Sequence, residues 1–185
     1  PSRVEGVTQP VHQLMLVALG TPLFDNLDLE AVAAEAARQG FELPPEGRYA
    51  SGLVFLSEDP DLCAQQMFDL ERLTEAEGQT LLGWRVVPCA PEAIGRLARE
   101  RMPVIRQLFI GAADALDRDA FERRLYAIRR QFENRQQECD ACAYVTSLSS
   151  RTFVYTGMLL ATQLRAFYPD LSQPALESAL ALVHS

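Results

Sequence analysis

Cys139 and Cys142 stand in the run ECDACA with two residues between them, the spacing of half a zinc site or of a redox pair. Zinc needs two more ligands. The other cysteines, Cys63 and Cys89, are far apart in sequence, and the histidines are His12 and His184 alone. A redox pair of the thioredoxin kind sits at a helix N-terminus, where the dipole lowers the thiol pKa. This pair follows the end of a long helical pattern, where the dipole acts the other way. The residues therefore favour a connecting loop with incidental thiols.

Other chemistry-bearing residues are incomplete as sites. Pro1 could act as a secondary-amine base, but it leads the polar run SRVEG, which does not position it for proton transfer. Ser149 and Ser150 could supply a nucleophile, yet neither lies in a G-x-S-x-G elbow. A pair of polar residues at a tight turn is the better reading. Neither G-x-x-x-x-G-K-[ST] nor G-x-G-x-x-G occurs, so no phosphate loop is written here. Glu58, Asp59 and Asp61 in SEDPD read as charges favoured by a helix start. Trp84, between strand residues, belongs to the core or its rim. Residue by residue, no catalytic, cofactor-binding or metal-binding set is complete.

The elements that must position these residues alternate along the chain. VHQLMLVALG fits a strand or a short helix. Leu27, Leu29, Val32, Ala33 and Ala36 lie near helical spacing, with Gly40 as a stop. YASGLVFL reads as a buried strand. A helix follows, capped by Ser57 or Asp59, with Leu62, Met67, Leu70 and Leu73 as its apolar stripe and Gly78 as its end. QTLLGWRVVP is a strand stopped by Pro88, PEAIGRLARERM a short helix with Pro91 near its start, and PVIRQLFIGAA another strand. In DRDAFERRLYAIRRQFENRQQE the residues Phe121, Leu125, Ile128 and Phe132 give one apolar helix face. YVTSLSS and RTFVYTGMLL read as a hairpin turning at Ser149, Ser150 and Arg151. ATQLRAFYPDL is a helix ended near Pro169, SQPALESAL a short helix capped by Ser172, and LALV a closing strand. The mixture predicts an α+β domain with sheets covered by helices.

The chain has 185 residues, 48% hydrophobic and 23% charged, which fits a single domain (1–185) with a sizeable core. A net charge of −8 disfavours nucleic acid and anionic membrane as partners. No apolar run approaches the ~20 residues that span a bilayer, and no signal peptide is legible. Four cysteines in this length are read as reduced thiols of a cytoplasmic protein.

From Phe41 onward the wording becomes specific. FELPPEGRYASGLVFLSEDP, AEGQTLLGWRVVP, PVIRQLFIG, DAFERRLYAIRR, YVTSLSSRTFVYTGMLLATQLRAFYPDL and ESALALVHS resemble, in that order, the N-terminal glutamine amidotransferase domain of the glutamate synthase large subunit. These segments cover about three quarters of the chain, residues 41–185, leaving 1–40 divergent. The resemblance implies an N-terminal-nucleophile fold: a four-layer α-β-β-α sandwich, incomplete here. It also implies a reaction. A leading cysteine, with its own α-amine as base, attacks the glutamine carboxamide, and ammonia leaves a thioester that water releases as glutamate. The ammonia passes to a flavin domain, so FMN and an iron–sulfur cluster are expected elsewhere in a full-length member and no cofactor in this chain.

Set against that pattern, Pro1 opens the chain and no cysteine precedes Cys63. The Cys-Gly-Val start, the His-Arg-Gly stretch and the acidic-glycine turn of relatives have no counterpart, and PVHQL occupies the place of the turn. ESALALVHS resembles an interior core strand, and Ser185 stands one step before the family's carboxylate-binding arginine. The expectation is an amidotransferase-like chain inactive by itself, which meets the remaining glutamate synthase domains and, through unpaired sheet edges, further copies of itself. The alternative is a non-catalytic binding or assembly module that keeps the fold.

Overall fold

A computed structural model describes residues 13–19, 37, 40–45, 47–114, 116–138, 143–172 and 180–184, the two outlying strands 13–19 and 180–184 as backbone. The predicted helix over Leu27 to Ala36 falls outside these residues, as does most of SQPALESAL.

Seven strands form two sheets. β1 (Gln13–Leu19) is flanked by β6 (Thr152–Met158) and β7 (Leu180–His184), both antiparallel, with Gln13 opposite Met158 and Met15 opposite His184. Within VHQLMLVALG, Gln13–Leu19 thus form a strand. The other sheet runs in the order β3 (Thr80–Val86), β4 (Val104–Gly111), β2 (Tyr49–Leu56), β5 (Tyr144–Val145), again antiparallel throughout.

β2 is buried at all eight positions, because its two faces meet different layers. Tyr49, Leu53 and Phe55 join a cluster with Phe153, Tyr155 and Leu159 from β6 and just beyond it, so one face packs toward the three-stranded sheet. Ala50, Val54 and Leu56 point the other way, toward helices α1 (Pro60–Ala76) and α3 (Arg118–Glu138). β4 divides likewise, with Ile105 and Phe109 on the first side and Leu108 and Ile110 on the second.

α3 buries the predicted stripe in full: Phe121, Leu125, Ile128 and Phe132 are 0–1% exposed. Asp59 caps α1, its Oδ1 accepting from the Leu62 amide at 2.9 Å, while the Ser57 hydroxyl accepts from the Asp59 amide. Leu62 itself is exposed at the start of the helix, so the stripe of α1 rests on Leu70 and Leu73 with Met67 half-buried. Gly78 supplies the left-handed residue after the helix, with φ 72°. PEAIGRLARERM is broken into a 3-10 turn (Pro91–Ala93) and the short α2 (Arg96–Arg99), and ATQLRAF into a 3-10 turn (Ala161–Gln163) and α4 (Leu164–Phe167). A further 3-10 turn, Pro169–Ser172, places Ser172 at its end.

The hairpin read from YVTSLSS and RTFVYTGMLL does not form. β5 pairs with β2 and β6 with β1, so Ser147 to Ser150 carry the chain from one sheet to the other. Hydroxyls replace ladder bonds along the crossing. The Val154 amide donates to Ser147 Oγ at 3.1 Å, and the Thr146 hydroxyl donates to the Val154 carbonyl at 3.2 Å.

Candidate functional site

Two polar constellations stand out in the interior. The first holds the crossing. Glu122, on the first turns of α3, accepts from Ser149 Oγ at 2.9 Å, from Ser150 Oγ at 2.7 Å and from the Ser150 amide at 2.7 Å. Ser149 Oγ also accepts from the Arg151 and Thr152 amides. Arg118 adds donors to the hydroxyl and carbonyl of Ser150, and Arg151 pairs with Asp119. Both serines are buried. Each hydroxyl donates to the Glu122 carboxylate, and the arrangement fixes the chain crossing. The sequence places Ser149 and Ser150 at a tight turn, whereas in the structure they lie at a crossing between the sheets.

The second lies between the sheets. Arg85 on β3 grips Asp170 with two parallel bonds, Nη1 to Oδ2 at 2.8 Å and Nη2 to Oδ1 at 2.9 Å. Its Nη1 also donates to Gln107 Oε1, and Gln107 Nε2 donates to Ser51 Oγ, which donates to the Leu108 carbonyl. On the far side the Tyr155 hydroxyl of β6 reaches Asp170 at 3.4 Å. Tyr168 donates to the Thr156 carbonyl at 2.7 Å. Sequence reading missed this network. Arg85 and Asp170 are separated by 85 residues, and no local pattern ties them.

Cys89 lies beside this network. Burial pushes its thiol up to about 11, the nearby Asp170 carboxylate pushes the same way, and Arg85 opposes them. Since the thiolate is the reactive form, alkylation of Cys89 at pH 8 should run about a hundredfold slower than that of an unperturbed cysteine. Mass-spectrometric timing of labelling at each cysteine reads this. The neutral thiol is favoured in the folded state. Its contribution to stability is therefore present below the ordinary thiol pKa and is lost as pH rises toward 11. Burial raises the Tyr155 and Tyr168 phenols too, which extends the loss into stronger alkali.

Cys63 is half-buried on α1 against the helix-side cluster. Trp84 packs, partly buried, against the same cluster, and Glu58 and Asp61 are exposed beside the Asp59 cap. Pro1, His12, Cys139, Cys142 and Ser185 lie outside the described residues, as does the side chain of His184. Among the described residues no group of three or more His, Cys, Asp or Glu could hold a metal ion, and no helix is long and apolar enough to cross a membrane. A groove of about 240 Å³ opens between the sheets near the end of β6, lined by Phe55, Ile105, Tyr144, Met158 and Tyr168 with Arg101 as its charged wall.

Comparison with known proteins adds what geometry alone does not carry. A model of the family described as glutamine amidotransferases class-II matches residues 20–185. The glutamate synthase (NADPH) large chain of Bacillus subtilis (strain 168) is 45% identical over 148 residues, covering 80% of this chain and 10% of that protein. Its counterpart in Azospirillum brasilense is 38% identical over 144 residues, 76% of this chain and 9% of that protein. The chloroplastic ferredoxin-dependent glutamate synthase of Oryza sativa subsp. japonica is 33% identical over 167 residues, 89% of this chain and 10% of that protein. The chain thus spans about a tenth of the length of the curated relatives it matches.

Proposed function

The chain belongs to the class II glutamine amidotransferases, and from that premise we propose that it is the scaffold of the glutaminase domain of a glutamate synthase. The observation that carries this reading is the 45% identity over 80% of the chain to a glutamate synthase large chain. In this reading the fold is the α-β-β-α sandwich of N-terminal-nucleophile hydrolases. Support comes from two antiparallel sheets that share one apolar cluster, with α1 and α3 over the outer face of the four-stranded one.

Glutamine is the small molecule met by the complete domain, and the remaining parts of a glutamate synthase are its partners. FMN and an iron–sulfur cluster belong to those parts. A cysteine that carries its own α-amine performs the attack on the carboxamide, and ammonia leaves for glutamate synthesis. The free thiols of Cys63 and Cys89 fit a reducing, cytoplasmic setting.

The described residues act as support in this reading. Ser149 and Ser150 are bound to Glu122, the Cys89 thiol is held neutral, and Cys63 packs half-buried against the helix-side apolar cluster. The polypeptide alone should therefore release no ammonia from glutamine above a protein-free control, measured by a coupled ammonia assay. Release that a thiol-blocking reagent abolishes would overturn the scaffold assignment. The reading frame tests the other half. A frame running on into flavin-binding and iron–sulfur sequence supports a glutamate synthase, whereas one confined to this segment favours a non-catalytic assembly module.

A further inference from the structure

Apolar contact between two sheets is non-directional, so it resists separation far better than it resists sliding. A bidentate arginine–carboxylate pair does the opposite, because two parallel bonds fix both distance and orientation. Arg85 and Asp170 form such a pair inside the inter-sheet layer, with side chains only 17% and 10% exposed. Buried pairs of this kind add little net stability, since desolvation offsets their attraction, and apolar replacements of similar volume are often at least as stable.

The surroundings of Asp170 show what the pair joins. Its turn, Pro169–Ser172, follows Phe167 and Tyr168, which are buried in the inter-sheet cluster. That segment is tied to β6 twice, through Tyr168 to the Thr156 carbonyl and through the Tyr155 hydroxyl to Asp170. It is tied to the four-stranded side through Arg85, and through the Ala90 amide, which donates to the Phe167 carbonyl. On the four-stranded sheet Arg85 is itself braced by Gln107 and, through it, by Ser51 of the central strand. The chain of bonds therefore runs from β2 through β4 and β3 to the turn and on to β6.

From this we infer that Arg85 and Asp170 are a positioning pair that sets where the β6-β1-β7 sheet rests on the four-stranded sheet, at little net gain in stability. β1 pairs with β6 along its whole length and β7 with β1, so fixing β6 fixes all three. Any consequence for glutamine chemistry rests on the proposed reading. The placement itself does not depend on it.

The test separates placement from stability. In the double variant Arg85→Met with Asp170→Leu, the urea midpoint should stay level or rise. Amide hydrogen exchange in β1, β6 and β7 should meanwhile quicken at least tenfold, with α1 and α3 unchanged. Exchange unchanged in all elements would overturn the inference. So would a fall in midpoint with exchange raised uniformly, which marks a merely stabilising contact. Should the double variant fail to fold, Arg85→Lys keeps the charge and loses the fork. Faster exchange confined to the three-stranded sheet is then expected, and an unaltered pattern overturns the proposal. None of these readouts uses glutamine, so an error in the proposed activity would leave them standing.

Discussion

Gly52→Ala should destabilise the protein by on the order of 3 kcal/mol or more, among the largest effects of any single methyl group added to this chain. Residue 52 lies in the middle of β2, the strand buried on both faces. A Cβ there would stand 1.9 Å from the Ser147 carbonyl oxygen, 2.9 Å from its carbon and 3.2 Å from Leu148 Cα. All three are backbone atoms, so no rotamer change relieves the contact. The segment after β5 is locked beside β2 on either side of this point. The Thr146 amide donates to the Leu53 carbonyl, and Ser51 and Ser149 exchange two backbone bonds. Moving Ser147 away would break those bonds and unseat Ser149 and Ser150 from Glu122, which loosens the start of β6. Urea denaturation reads the loss as a lower midpoint at unchanged slope. Gly95→Ala is the control, since nothing stands within 4 Å of its added carbon, and its effect should stay within about 0.5 kcal/mol. A comparably small change at Gly52 would show that the crossing can shift freely.

The same crossing marks where sequence reading reached its limit. YVTSLSS and RTFVYTGMLL look like the two arms of a hairpin because they are apolar, close together and joined by small polar residues. Those serines and the threonine bond along the chain path and to Glu122 instead of closing a turn, and a hydroxyl's partner is not written in its neighbours. The long helix was legible because Phe121, Leu125, Ile128 and Phe132 repeat at helical spacing, which one buried face requires. β2 was legible for a related reason: a mostly apolar run suits a strand covered on both sides. Leu62 misled because it falls near the stripe of α1 but lies in its first turn, ahead of the buried residues Gln66, Leu70 and Leu73. Arg85 and Asp170 carry no local signature at all. Their partnership exists only once β3 and the turn after α4 are brought together, so it belongs to tertiary structure alone. The family, by contrast, was readable from whole segments such as SLSSRTFVY and FYPDL, whose order and wording exceed what periodicity encodes.

The apolar face of α3 supplies the second large effect. Leu125 is fully buried, and it sits in one cluster with Ala50, Val54, Leu108 and Ile110 of the sheet and Leu70 and Leu73 of α1. Truncation to alanine removes three methylene-sized groups from a site whose walls are a hydrogen-bonded sheet and a second helix. Neither wall can move in to fill the space without breaking its own ladder, so both the transfer loss and the cavity contribute. Leu125→Ala should therefore cost about 2–5 kcal/mol in urea or thermal unfolding. Its neighbour provides the contrast: Tyr126 is 64% exposed on the opposite face, and Tyr126→Ala should change stability by no more than about 0.5 kcal/mol. Glu122 projects from the same helix to hold Ser149 and Ser150. A helix loosened at Leu125 should consequently lose protection at the Ser150 amide as well, in hydrogen exchange measured below the unfolding transition. If Leu125→Ala proved no more costly than Tyr126→Ala, α3 would not rest on the sheet, and the helix layer assigned to this fold would have to be withdrawn.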